Sequence, residues 1–206
     1  MTEAVIDQSR LAQITTLYSG GHHPNDAEMC FMEAAAYITG EPWSDHPQCV
    51  SPVIAAFGRS WNDSLPADER DALLLPLLPR VVGTRGSDAL EERRSLMAAD
   101  WLVREHTTAW LRLAGLTAQA DALANLPEIT SMAQVPSIRG PIEAARTDAD
   151  AARDAAWAAA GAAAGAAAWA AARAKLKPTR DALQQSALRL IERMIDCPEP
   201  ASNREG

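Results

Sequence analysis

One stretch limits what this chain can fold into more than any other. Ala155 to Ala172 holds no charge and is built only from Ala, Gly and Trp. Alanine is the strongest helix former, so the stretch predicts helix, extended by its flanks to about 141–175. At 1.5 Å per residue such a helix spans roughly 50 Å. It has no polar face, which predicts burial against other helices. Ala gains little from lipid, so the expectation is a buried helix and no membrane span, although Gly161 and Gly165 form a small-xxx-small pair. Steps of four along it pick out Arg153, Trp157, Gly161, Gly165, Trp169 and Arg173. Each step turns the helix by about 40°, so these residues form one slowly drifting ridge. The ridge reads as a seam between copies of the chain or in either of two ways within one chain. Gly161 and Gly165 can be the contact point of a crossing helix, with the indoles packed at its flanks. Or the ridge lines a ligand groove, with two indoles to stack on and two guanidiniums for phosphate or carboxylate.

The rest of the chain is consistent with helices. Of 206 residues 43 are Ala, and aromatic residues make up only 5%. Runs rich in β-branched and aromatic residues are scarce, which argues against strands. The predicted fold is all-α: a single compact helical domain, residues 1–196, of about seven to nine helices packed around the Ala/Gly-rich helix. A flexible tail is expected at 197–206.

Charge is uneven. Residues 1–100 carry 15 acids and 7 bases, whereas 101–206 carry 12 of each. With no basic stripe, binding to duplex nucleic acid is not expected. Three cysteines at wide spacing are no disulfide framework. Met1 to Arg10 has no secretory pattern, so a cytoplasmic location is the expectation.

Along the chain, a first helix is predicted over about Glu3–Leu17. A second follows from an Asn25 or Asp26 cap to a Gly40 stop. A third is opened by Ser51-Pro52. Pro66-Ala67-Asp68-Glu69 opens another, and Pro76 and Pro79 break Leu73–Val82 into short helical pieces. Ser87 caps a helix to about Glu105. Trp101 and Trp110 are nine residues apart, which on a straight helix sets them on opposite faces, so a break is expected near Thr107. His106 reads as a hinge or cap residue at that break. Thr117–Leu126 is a short helix, Pro127–Pro141 is the expected linker, and Pro178 is expected to interrupt the long helix.

A second cluster of chemistry-bearing residues lies between His22 and Cys49. His46 and Cys49 have the spacing of two ligands on one loop, and His23 (or His22) with Cys30 would complete a tetrahedral zinc set. Cys30 with His46, oriented by Asp45 or Glu33, would alternatively supply the roles of a thiol site. Against both stands the ordinary reading of Cys30 as a small core residue on an apolar helix. Neighbouring Asp45 and His46 are expected to point apart. Glu33, among Ala and Met, needs a partner if it turns inward, and Arg59 or a histidine is the expected one.

Several blocks resemble a family of uncharacterised proteins from actinobacteria and their phages. They are Cys30-x-x-Glu33-Ala34, Gly40-Glu41-Pro42-Trp43-Ser44-Asp45-His46-Pro47-x-Cys49-Val50 and Trp61-Asn62-Asp63. Asp100-Trp101-Leu102-Val103-Arg104, Trp110-Leu111-x-Leu113-Ala114-Gly115-Leu116 and the Ala/Trp helix are similar to it too, so the likeness runs from about Leu17 to Ile195. It implies a cytosolic, phage-borne context and carries no catalytic residue over. By analogy with small phage proteins, it suggests sequestration of a host nucleotide signal. The expected function is a non-enzymatic binding protein for a small anionic or nucleotide-like ligand or a protein partner, working as a homo-oligomer. The alternatives are an assembly protein without ligand and a zinc- or thiol-dependent enzyme.

Overall fold

The computed structural model describes residues 5–24, 26–160 and 166–200, and side chains outside 153–173. All secondary structure among them is helical, as the composition predicts. No helix among them is long and apolar enough to cross a membrane. The chain forms two compact units, residues 1–95 with 191–206, and residues 96–190. The boundaries fall inside helices and not in the 127–141 stretch expected as a linker.

In the first unit, α1 is only Gln8–Leu11, capped by Asp7. The longer helix expected to Leu17 does not form, because other bonds claim its backbone. Leu17 N donates to Asp71 at 2.8 Å, and just past the expected end Tyr18 N donates to the Met29 carbonyl at 2.9 Å and Gly20 N to Asp63 at 2.8 Å. Arg70, itself buried, closes the arrangement by donating to the carbonyls of Leu17, Asn62 and Leu65. Leu17 is fully buried without being helical.

The second helix, α2, runs Phe31–Thr39 and starts later than expected, with Cys30 as its N-cap. Gly40 ends it in the left-handed region at φ 72°, where a side chain would be strained. Next, α3 (Pro52–Ser64) is capped by Ser51, whose hydroxyl accepts from Ile54 N. It passes close to α2: a Cβ on Gly58 would lie 3.1 Å from the Phe31 ring. Then come α4 (Ala67–Leu74), a single 3-10 turn at Leu75–Leu77 and α5 (Leu78–Val81), the short pieces that the two prolines predict. Phe31, Met32, Ile38, Ile54, Leu74 and Leu78 are fully buried in this unit. The start of the expected tail is tethered, since Ser87 donates to Glu199 through both its amide and its hydroxyl.

The helix α6 (Asp88–Trp101) crosses into the second unit and continues as a π-helical turn, Leu102–Thr107, and α7, Thr108–Leu113. The break expected near Thr107 is therefore a widening of the helix. Then come α8 (Thr117–Ala124), α9 (Val135–Ala160) and α10 (Ala166–Ile195). Two apolar groups make the core of this unit: Leu111, Ala120, Leu123 and Ala145, and Leu96, Ile129 and Ile138. Val103, Leu126 and Ile142 pack against both.

Two proline expectations are corrected here. α9 begins at Val135 and runs through Pro141, six residues before the expected start. α10 runs through Pro178, which was expected to interrupt it. Pro178 has no N–H to offer the carbonyl of Ala174. Residues 174–178 are all exposed, so water can take that bond.

Candidate functional site

The block from His22 to Cys49 is built around Glu33. As the third residue of α2, Glu33 reaches back to Cys30 N at 2.7 Å, half of a capping box. The same carboxylate accepts from His22 N at 2.8 Å and meets His22 Nδ1 at 2.8 Å. Glu33 is 2% exposed, so these are bonds of a fully enclosed carboxylate. The inward Glu33 thus finds a histidine, one of the two partners its position predicts, while Arg59 turns to Asp45. Trp43 Nε1 donates to the His22 carbonyl at 2.9 Å and ties the 41–49 loop to the 20–28 loop.

The zinc set is not assembled. Among the described residues no three His, Cys, Asp or Glu side chains converge on a metal position. His23 is exposed, its amide donating to Asp26. His46 Nδ1 pairs with Asp45 at 2.5 Å, so these neighbours do not point apart as expected, and the ring stays on the surface. Cys30 is buried at the helix cap, and Cys49 is buried with Sγ 3.8 Å from the Thr39 hydroxyl. Each of the four is committed to local structure.

The thiols are also poor nucleophiles. Burial, with Glu33 nearby, pushes Cys30 up to about 12, and burial together with Glu41 pushes Cys49 up to about 11. Both stay protonated at neutral pH. Iodoacetamide at neutral pH should therefore label half-exposed Cys197 first and leave Cys30 and Cys49 intact until the protein unfolds. Peptide mass spectrometry after timed labelling checks this, and labelling of native Cys30 at the rate of Cys197 would contradict it. Both thiols keep their protons to higher pH when folded than when unfolded. Their contribution to stability is thus complete below the ordinary value of 9.0 and is lost as pH rises above it.

A second constellation lies in the other unit, on the π-helical turn. A π turn closes i to i+5, so it brings His106 onto the same face as Trp101. Trp110, four residues further, follows on that face of α7. The Trp101 and His106 ring centroids are 5.1 Å apart, and those of His106 and Trp110 6.3 Å apart and edge-on. Two threonines support the widened turn: Thr107 Oγ1 donates to the Leu102 carbonyl at 2.7 Å, and Thr108 Oγ1 to those of Arg104 and Glu105, each at 2.9 Å.

Each indole nitrogen in the cluster is used. Trp101 Nε1 donates to Ser186 on α10 at 2.8 Å, and the Ser186 hydroxyl passes the chain on to the Glu105 carboxylate. Trp110 Nε1 donates to His106 Nε2 at 3.2 Å. Burial alone holds His106 below the ordinary imidazole value of 6.5, so the ring is neutral at neutral pH. Trp101, His106 and Trp110 are all half-buried, with Leu102 exposed beside them. Asp100 anchors the base of the turn by accepting from Arg104 and from Ile129 N.

The ridge residues Arg153, Trp157, Gly161, Gly165, Trp169 and Arg173 lie outside the residues whose side chains are described, with Gly161 and Gly165 outside the backbone description as well. One relation follows from the helix itself. Arg173 and Ser186 both belong to α10, thirteen residues apart, which is about 20 Å of helix. Along α10, the Arg173 backbone is therefore well removed from Ser186. The aromatic face is not among the sites the sequence predicts: His106 and Trp110 are an ordinary i,i+4 pair, and Trp101 joins them only through the π insertion. The Thr107-Thr108 pair is the local signal for it.

No protein-family model, curated protein or solved structure matches this chain.

Proposed function

We propose that this chain is a non-enzymatic binding protein for a small nucleotide-like ligand, read through its planar ring at the Trp110–His106 face. The observation that carries the reading is the half-buried row of indole, imidazole and indole that the π turn sets on one face. Such rings stack on any flat heterocycle, at about 1–3 kcal/mol per base. Trp101 backs the imidazole, and Trp110 and His106 meet the ligand. His106 adds direction: its Nε2 accepts from Trp110, so Nδ1 carries the proton and offers a donor to an acceptor on the ring edge. Arg104, on the same turn, is already paired with Asp100, so the base and not the phosphate supplies recognition here. Arg153 and Arg173 remain the proposed anion contacts of a groove on the ridge. Protonated thiols and the dispersed His/Cys block weigh against the enzyme readings. The likeness to phage proteins makes sequestration of a host nucleotide signal the proposed context.

Native mass spectrometry of the freshly purified protein tests this. The expected spectrum shows a retained mass in the nucleotide range, or uptake of one equivalent of added ATP or GTP per chain. The same spectrum reports whether the chain is the homo-oligomer expected. A bare chain that takes up neither nucleotide overturns the reading.

A further inference from the structure

An indole nitrogen can only donate, so the Trp110 Nε1 contact at 3.2 Å needs a lone pair on His106 Nε2. We propose that His106 is a proton-operated latch: the aromatic face is assembled only while the imidazole is neutral, and a proton on Nε2 releases Trp110. The added proton would fill the lone pair that receives the indole N–H. Two donors would then face each other at 3.2 Å, and Trp110 Nε1 has no other acceptor among the described residues. His106 and Trp110 are joined through the first turn of α7, so the indole must retreat or the ring must turn.

The surroundings leave the latch to burial. On the turn itself, the Glu105 carboxylate is engaged by Ser186 from α10, and Arg104 by Asp100. On α7 and α8, Arg112 pairs with Asp121, and Asp148 of α9 accepts from Gln119 of α8. Arg189, one turn beyond Ser186 on α10, is exposed. None of these carboxylates is bonded to the imidazole, and burial keeps its proton affinity low. The sign follows. The unfolded chain takes the proton near 6.5 and the folded chain only at lower pH, so this contribution to stability is complete above 6.5 and is lost as pH falls through the folded value. The latch rests on the cluster's geometry and needs no ligand, so failure of nucleotide binding would leave it standing.

The test is an NMR titration of ligand-free protein, following the His106 ring nitrogens and the Trp110 indole N–H. At neutral pH the expected result is a proton on Nδ1 and none on Nε2. On acidification the Trp110 indole resonance should move in one step with the His106 titration, below pH 6.5. In His106→Phe the indole resonance should sit at its released position throughout and not titrate. A neutral-pH proton on Nε2, or a Trp110 resonance that ignores the titration of His106, would overturn the proposal. Both are read on the wild-type protein, so a variant that fails to fold leaves the test intact.

Discussion

Replacing Arg94 by Met should destabilise the first unit by about 3–5 kcal/mol, the range for removing one partner of a buried ion pair. The Arg94 side chain is 2% exposed and its guanidinium joins three parts of the chain. Nε donates to the Met194 carbonyl at 2.9 Å, and NH1 to the Thr84 carbonyl at 2.6 Å and to Glu91 at 2.8 Å. Glu91 also accepts from Gly86 N and from the Ser51 hydroxyl, the same hydroxyl that caps α3. Methionine keeps the volume but leaves two carbonyls without these donors and Glu91 without its counter-charge. Arg94→Lys should fare little better, because a point charge cannot serve carbonyls on two sides. Equilibrium unfolding in urea checks this. The double variant with Glu91→Gln should lose clearly less than the sum of the singles, since the two act as one unit. A loss under about 1 kcal/mol for Arg94→Met would show the network to be incidental.

Glu33→Ala should cost about 2–4 kcal/mol, from enclosed donors left without an acceptor. The carboxylate takes His22 N, His22 Nδ1 and Cys30 N at once. Truncation therefore frees the 20–28 loop and uncaps α2 together. Glu33→Gln keeps one carbonyl oxygen and should lose roughly half as much, because its NH2 group would face donors. Arg59→Ala, in contrast, removes a contact to Asp45 at 3.7 Å and a bond to its carbonyl, and should cost about 1 kcal/mol or less. Thermal unfolding of the three variants should order them Glu33→Ala, Glu33→Gln, Arg59→Ala. Equal effects would mean that Glu33 is not the keystone of the block.

These two hubs show what kind of information the sequence carries. Helix stops and caps were legible because they are local: Ser51-Pro52, Gly40, Ser87 and the Pro76/Pro79 pieces each act within a turn of themselves. Glu33 was legible as a question, since an acid among apolar neighbours demands a partner, and His22 lies only eleven residues away. Arg70 and Arg94 were not, because an arginine that caps distant carbonyls leaves no local pattern. The first helix stops short of its expected end for a similar reason: the Leu17 N donor is taken by Asp71, fifty-four residues away. The nine-residue spacing of Trp101 and Trp110 carried the right constraint, that a regular helix cannot put them together. A break is one way to satisfy that constraint, and the π turn is the one the chain uses.

The central claim, that this π-built aromatic face receives a planar ring, is tested most directly by titrating ATP and GTP at neutral pH while following indole fluorescence. The comparison is wild type against Trp110→Leu, with equal unfolding midpoints as the control for folding. The account predicts saturable quenching by at least one nucleotide in the wild type, with affinity weakened about tenfold or more in the variant, as expected for loss of one stacking surface. No saturable response, or one that Trp110→Leu leaves unchanged, would contradict it.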